Sequence, residues 1–123
     1  MQRVSAVMPV LNVEQFVAEA IRSVLGQTYT DFELIVVDDG STDSSLEILR
    51  RWQSSGRFRE MTVIEAEHRG VQASLNTAAE VATGELVAQM DGDATLETPG
   101  WLERLVGLLE SDPLVGVVTP AVI

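Results

Sequence analysis

The strongest constraint in this sequence is a regular alternation of short apolar runs with longer stretches of helical periodicity. Five apolar runs predict buried strands, at residues 3–10, 33–38, 61–65, 85–90 and 115–119. Between them, apolar residues recur every three or four positions, which predicts amphipathic helices. Strands that alternate with helices in this way indicate an α/β fold with an open, mostly parallel sheet and helices on both faces.

Capping signals predict where several helices begin and end. Asn12 is predicted to cap the first helix, with Gln15 three residues later in the capping-box position. Gly84 is predicted to end the third helix. Thr98 and Pro99 are predicted to open the fourth helix as its cap and its first residue.

Composition excludes several classes of protein. The net charge of −11 argues against a partner that is a nucleic acid or an anionic lipid surface. The chain has no cysteine and no lysine, which excludes thiolate metal sites, Schiff-base chemistry and the P-loop lysine. No signal peptide and no apolar stretch of membrane-spanning length are visible, so a cytoplasmic location is expected.

Four carboxylates follow predicted strands at their carboxyl ends: Asp38, Asp39, Asp91 and Asp93. Ligands of open α/β sheets bind beyond these strand ends, where the strand order reverses. Carboxylates that converge there would repel one another without a counter-ion. Mg²⁺ or Mn²⁺ would relieve the repulsion, because hard cations bind carboxylate and phosphate oxygens together.

These carboxylates belong to a longer series of short motifs that runs through nearly the whole chain. The motifs are Pro9 to Asn12 with Glu14, Ser23 to Thr28, Phe32 to Asp43, His68 to Gly70, Gly84 with Glu85, and Asp91 to Asp93. In this order and at these spacings, they resemble the amino-terminal half of a family 2 glycosyltransferase of the GT-A fold. The resemblance implies that residues 1–123 form a single Rossmann-like, nucleotide-sugar-binding domain whose acceptor and catalytic-base half is absent.

The resemblance also implies roles for individual residues. The implied nucleotide-sugar pocket consists of Pro9, Val10, Asn12, Glu14, Asp39, Arg69, Asp91 and Gly92. Asp39 would bind the base, and Arg69 would lie near the base or the phosphates. Asp91, Gly92 and Asp93 are similar to the DXD motif. This similarity implies that Asp91 would contact the ribose, and that Asp93, together with Asp91, would bind the Mg²⁺ or Mn²⁺ that bridges the diphosphate.

The implied reaction is the inverting transfer of a sugar from a nucleotide-diphospho-sugar, a UDP-sugar above all, to an unknown acceptor. The family often has an acidic residue after the DXD motif and an Arg-Asn pair in the third helix, whereas this chain has Ala94 and Leu75 at those positions. No residue can be assigned as the catalytic base, which inverting transfer places within ~3 Å of the acceptor hydroxyl. His68, the only histidine, is interpreted as a solvated or capping residue.

Two other functions remain open from the sequence. One is a non-catalytic nucleotide-sugar-binding module or a degenerate fragment. The other is a haloacid-dehalogenase-like phosphatase, since Asp91 to Thr95 fits its DxDxT motif; however, that family places the motif after the first strand and needs a lysine. The apolar end of the chain predicts a truncated domain that self-associates through an uncovered strand edge.

Overall fold

A computed structural model describes residues 3–96 and 98–111. Along this part of the chain the elements are β1 (Val4–Val10), α1 (Val17–Leu25), β2 (Phe32–Asp38), α2 (Ser45–Ser54), β3 (Met61–Glu65), α3 (Val71–Val81), β4 (Leu86–Gln89) and α4 (Trp101–Ser111). The strands form one parallel sheet in the order β3-β2-β1-β4. This confirms the predicted α/β fold, while the strand predicted at 115–119 lies outside the described residues.

The central strand β1 alternates its side chains between two apolar cores. Ala6, Met8 and Val10 pack on the same face as buried residues of α1 and α2. Val7 points to the opposite face, where it packs with Ala78 of α3. Because helices cover both faces, β1 and β2 are apolar along most of their length.

The strand order reverses between β1 and β4. The chain moves outward from β1 to β2 and β3, and then returns to place β4 on the other side of β1. A crevice for a ligand is therefore expected beyond the carboxyl ends of β1 and β4. Asp91 to Asp93 follow β4 after one intervening residue and lie at this edge. No helix among the described residues has the length and apolar character needed to cross a membrane.

The predicted helix caps were wrong. The helix α1 begins at Val17, and Asn12 makes no capping bond to it. Asn12 instead has a φ of 51° and bonds to the loop that follows β2, 30 residues away. The helix α4 begins at Trp101, two residues after Pro99.

Gly84 does not end α3, whose last residue is Val81. A Cβ atom on Gly84 would lie 2.6 Å from the backbone nitrogen of Ser5. Gly84 is therefore required because the backbone passes so close to β1 at the entry to β4.

A buried carboxylate, that of Glu33, lies at the opposite edge of the sheet, where the strands begin. The sequence pattern predicted that Glu33 belongs to a strand but predicted no role for its side chain. Glu33 accepts hydrogen bonds on Oε2 from the Ser5 hydroxyl (2.6 Å), the Thr83 backbone N–H (2.6 Å) and the Thr83 hydroxyl (2.7 Å). Burial would raise the pKa of Glu33, but these hydrogen bonds outweigh it and the pKa is lowered. Glu33 thus ties β1, β2 and the entry to β4 together.

Candidate functional site

The loop after β1 is held against the loop after β2 by reciprocal hydrogen bonds. Asn12 Oδ1 accepts the backbone N–H groups of Thr42 (2.8 Å) and Asp43 (3.3 Å). Glu14 Oε2 accepts the N–H of Ser44 at 2.8 Å, and Asp43 Oδ2 accepts the N–H of Glu14 at 3.2 Å. Asn12 and Glu14, predicted to wall the nucleotide pocket, therefore fix the shape of the loop that follows β2.

Asp43 also organises the start of α2, a role that was not predicted from the sequence. Its Oδ1 accepts the Ser45 N–H at 2.9 Å, and the Ser45 hydroxyl in turn accepts the Val13 N–H at 3.0 Å. Burial would raise the pKa of Asp43, but the bonds from Ser45 and Glu14 lower it. An aspartate directly before a helical pattern is the signal that could have identified this role.

Asp39 lies at the end of β2, with its side chain only 6% exposed. Its Oδ1 accepts the Arg69 backbone N–H at 2.8 Å. Its Oδ2 accepts the Gly70 N–H at 3.1 Å and lies 2.8 Å from His68 Nδ1. Burial would raise the pKa of Asp39, but these three hydrogen bonds outweigh it and lower the pKa. Asp39 therefore holds the loop at 68–70 as an ionised group.

The loop that Asp39 holds presents two exposed side chains, those of His68 and Arg69. The His68 side chain is 63% exposed although its Nδ1 faces Asp39. The Arg69 backbone is fixed, but its guanidinium forms no hydrogen bond or ion pair with the described residues. Arg69 thus places an exposed positive charge near the carboxyl edge of the sheet.

The backbone of the 91–93 turn packs closely against β1. Gly92 is buried, and a Cβ atom there would lie 2.9 Å from Val10 Cγ2 and 3.1 Å from Val13 Cγ2. The side chains of Asp91 and Asp93, on either side of it, are exposed. A bond from the Ala94 N–H to the Asp91 carbonyl (3.1 Å) closes the turn. Two carboxylates are therefore presented at the edge where the strand order reverses.

The four carboxylates share one edge but do not form the predicted cluster. Among the described residues, no group of three or more Asp, Glu or His side chains could hold a metal ion. Asp38 is 1% exposed and accepts the Ser41 N–H on Oδ2 (3.1 Å), and Asp39 is committed to the 68–70 loop. Only Asp91 and Asp93 remain exposed, a donor set that suits a divalent cation shared with substrate phosphates.

The remaining predicted pocket residues lie at the end of β1. Pro9 is half-buried, and Val10 is 1% exposed. The Val10 carbonyl accepts the Asp39 N–H at 2.8 Å. The structure therefore brings the end of β1, the loop after β2 and the 91–93 turn to one edge of the sheet.

The model of the family described as "Glycosyl transferase family 2" matches residues 5–122 of this chain. The chain belongs to glycosyl transferase family 2. It is 36% identical, over 90% of its length, to a glucosyl-dolichyl phosphate glucuronosyltransferase of Haloferax volcanii. It is 33% identical, over 94% of its length, to the uncharacterized glycosyltransferase alr2836 of Nostoc sp.. In each case this family 2 chain spans only 35% of the relative.

Solved structures of glycosyltransferases share the fold. Mannosyltransferase PcManGT of Pyrobaculum calidifontis, in complex with GDP-Man and Mn²⁺, superposes with a TM-score of 0.87 at 35% identity, over 94% of this chain and 34% of its own. TarS of S. aureus, residues 1–349 in complex with UDP-GlcNAc, superposes with a TM-score of 0.79 at 27% identity, over 89% of this chain and 31% of its own. The family 2 chain described here thus has the GT-A fold of these enzymes.

Proposed function

We propose that this family 2 glycosyltransferase chain binds a nucleoside-diphosphate sugar together with Mg²⁺ or Mn²⁺, as the donor side of an inverting sugar transfer in the cytoplasm. The observation that carries the proposal is the pair of exposed carboxylates, Asp91 and Asp93, at the edge where the strand order reverses. The GDP-Man and Mn²⁺ complex of PcManGT and the UDP-GlcNAc complex of TarS support this donor class. UDP-sugars are the donors to test first, and GDP-sugars the alternative.

The metal side of the proposed site consists of Asp91, Gly92 and Asp93. Asp93, with Asp91, would hold the cation, and Asp91 would contact the ribose. A bound divalent cation supplies positive charge to the departing diphosphate without a proton transfer. Gly92 lets the turn lie against Val10, which places both carboxylates at the end of β1.

The base side of the proposed site lies along β1 and β2. The half-buried Pro9 would form its floor with the buried Val10 beneath it, and the loops that Asn12 and Glu14 join would form its wall. A carboxylate has about four acceptor positions, so Asp39 retains capacity for a base N–H beyond its three internal bonds. The same bonds hold the Arg69 backbone, and its exposed guanidinium would meet the base or the phosphates.

The catalytic base is not assigned among these residues. Inverting transfer needs a carboxylate within ~3 Å of the acceptor hydroxyl. Asp38 is buried, and Asp39, Asp91 and Asp93 are assigned to the donor in this proposal. We therefore propose that residues 1–123 act as one donor-binding unit and that the acceptor is chosen by other parts of the protein.

The experiment is calorimetric titration of the chain with UDP, GDP and dTDP, each with and without Mn²⁺. We expect one nucleotide to bind more tightly with Mn²⁺ and Asp93→Asn to abolish that gain. The matched control is Glu80→Gln on α3, an exposed carboxylate that should leave binding unchanged. Equal binding with and without Mn²⁺ would favour a metal-independent nucleotide-binding module. Failure of all three nucleotides to bind would refute the proposal.

A further inference from the structure

The buried amide of Gln27 connects the end of α1 to the start of α4. Gln27 as a whole is only 6% exposed. Its Nε2 donates to the carbonyls of Ser23 (3.1 Å) and Thr98 (2.9 Å), and its Oε1 accepts the Leu102 N–H at 2.9 Å. Three of the four hydrogen bonds that an amide can make are therefore filled within the fold.

Ser23 binds the chain between β4 and α4 at a position nearer to Asp91 and Asp93 than the positions that Gln27 binds. Its hydroxyl accepts the Leu96 N–H at 3.0 Å and donates to the Ala20 carbonyl at 2.7 Å. Leu96 is three residues after Asp93 and is buried in the core that includes α1. On the other side of the turn, the Met90 N–H bonds to the Val7 carbonyl at 2.9 Å. The 91–93 turn is thus held on both sides: Met90 is bonded to β1, and Leu96 is bonded to Ser23 of α1.

The amino-terminal end of α1 leads back to the base side of the proposed site. Val13 lies four residues before the first residue of α1. Its side chain packs against Gly92, where an added Cβ atom would lie 3.1 Å from Val13 Cγ2. The Val13 N–H donates to the Ser45 hydroxyl. Asn12 and Glu14 hold the loop after β2. One helix therefore sets the position of the 91–93 turn relative to the loops that surround Asp39.

We infer that Ser23 and Gln27 are positioning residues for the metal-binding carboxylates and that they set the metal-dependent part of nucleotide affinity. The inference rests on the proposed function. Without these bonds the segment after Asp93 gains freedom that must be lost again when the diphosphate and the cation bind. A hydrogen bond contributes up to about 1.4 kcal/mol net, which corresponds to a tenfold change in affinity, so we expect up to about a tenfold loss.

The test compares Ser23→Ala and Gln27→Leu with the unmodified chain. Nucleotide affinity is measured by calorimetry with and without Mn²⁺, and the ratio of the two affinities is the readout. We expect the ratio to fall by up to about tenfold while the affinity without Mn²⁺ stays the same. Ser23→Thr, which keeps the hydroxyl, should keep the ratio of the unmodified chain. The control is Thr77→Ala, which removes a hydroxyl bond within α3, on the other face of the sheet.

The outcomes separate this inference from the proposed function. If the unmodified chain shows no gain from Mn²⁺, the proposed function and the inference both fail. If it shows the gain and both variants keep it, the inference alone is overturned. A purely structural role would lower the melting temperature without changing the ratio, which would also overturn it. If Gln27→Leu does not fold, Ser23→Ala decides the result, because its loss is one hydroxyl.

Discussion

Replacing Asp39 with asparagine should destabilise the fold and release the loop that carries Arg69. The carboxylate accepts the Arg69 N–H on one oxygen, and the Gly70 N–H and His68 on the other. Asparagine has one oxygen, so its NH₂ group must face at least one of these donors. Hydrogen bonds to charged groups contribute about 1.5–3 kcal/mol each. We expect Asp39→Asn to lower the free energy of unfolding by about 2 kcal/mol and the melting temperature by roughly 8 °C.

The loss should depend on pH in a defined direction. The pKa of Asp39 is lowered in the folded chain from an ordinary value of 3.8, because hydrogen bonds from Arg69, His68 and Gly70 outweigh the effect of burial. The stabilisation is therefore complete above 3.8 and is lost as the pH falls through the lower, folded pKa. The difference between Asp39→Asn and the unmodified chain should be large at neutral pH and small in strong acid.

Urea unfolding at pH 7 and in strong acid, well below pH 3.8, measures both quantities. His68→Gln is the control, since it removes one exposed partner and leaves both backbone bonds in place. We expect that variant to lose less than about 1 kcal/mol. A loss below about 0.5 kcal/mol for Asp39→Asn at pH 7, or an equal loss at both pH values, would refute the assignment of Asp39 as the group that holds this loop.

Three further changes test other parts of the structure. Glu33→Gln should cost about 2 kcal/mol in urea unfolding at pH 7; because the pKa of Glu33 is lowered below 4.5, a cost that persisted in strong acid would contradict the role given to it. Gly92→Ala should cost about 1–3 kcal/mol and weaken Mn²⁺-dependent nucleotide binding, since the new methyl meets Val10 at 2.9 Å; unchanged binding would argue against the packed turn. Val87 is 57% exposed on β4, which is the outermost strand on its side of the sheet among the described residues, and it should promote self-association; sedimentation would show less association for Val87→Lys, and equal sedimentation of both proteins would exclude that edge.

Much of the fold follows from local pattern in the sequence. The apolar runs and helical spacings predicted four described strands and four helices, because burial on both faces of β1 and β2 requires continuous apolar residues. The order β3-β2-β1-β4 was not predicted, since any parallel arrangement would satisfy the same pattern. The motif series identified the family, and its model matches residues 5–122.

The individual roles of polar residues depended on contacts between distant positions. Asn12 has the local pattern of a helix cap, but its side chain accepts the backbone N–H groups of Thr42 and Asp43 instead. These donors lie next to Asn12 only because β1 pairs with β2. The sequence does not distinguish Glu33 from other strand residues, because its hydrogen-bond partner Thr83 lies 50 positions away in the chain.

The sequence by itself determined the fold class, the family and which residues stand at the strand ends. Only the tertiary structure decided which carboxylates face solvent. Asp38 and Asp39 are buried and hydrogen-bonded within the fold, whereas Asp91 and Asp93 remain exposed. The physical reason is that exposure depends on how neighbouring loops pack over a strand end, and that packing is set by residues far away in the chain.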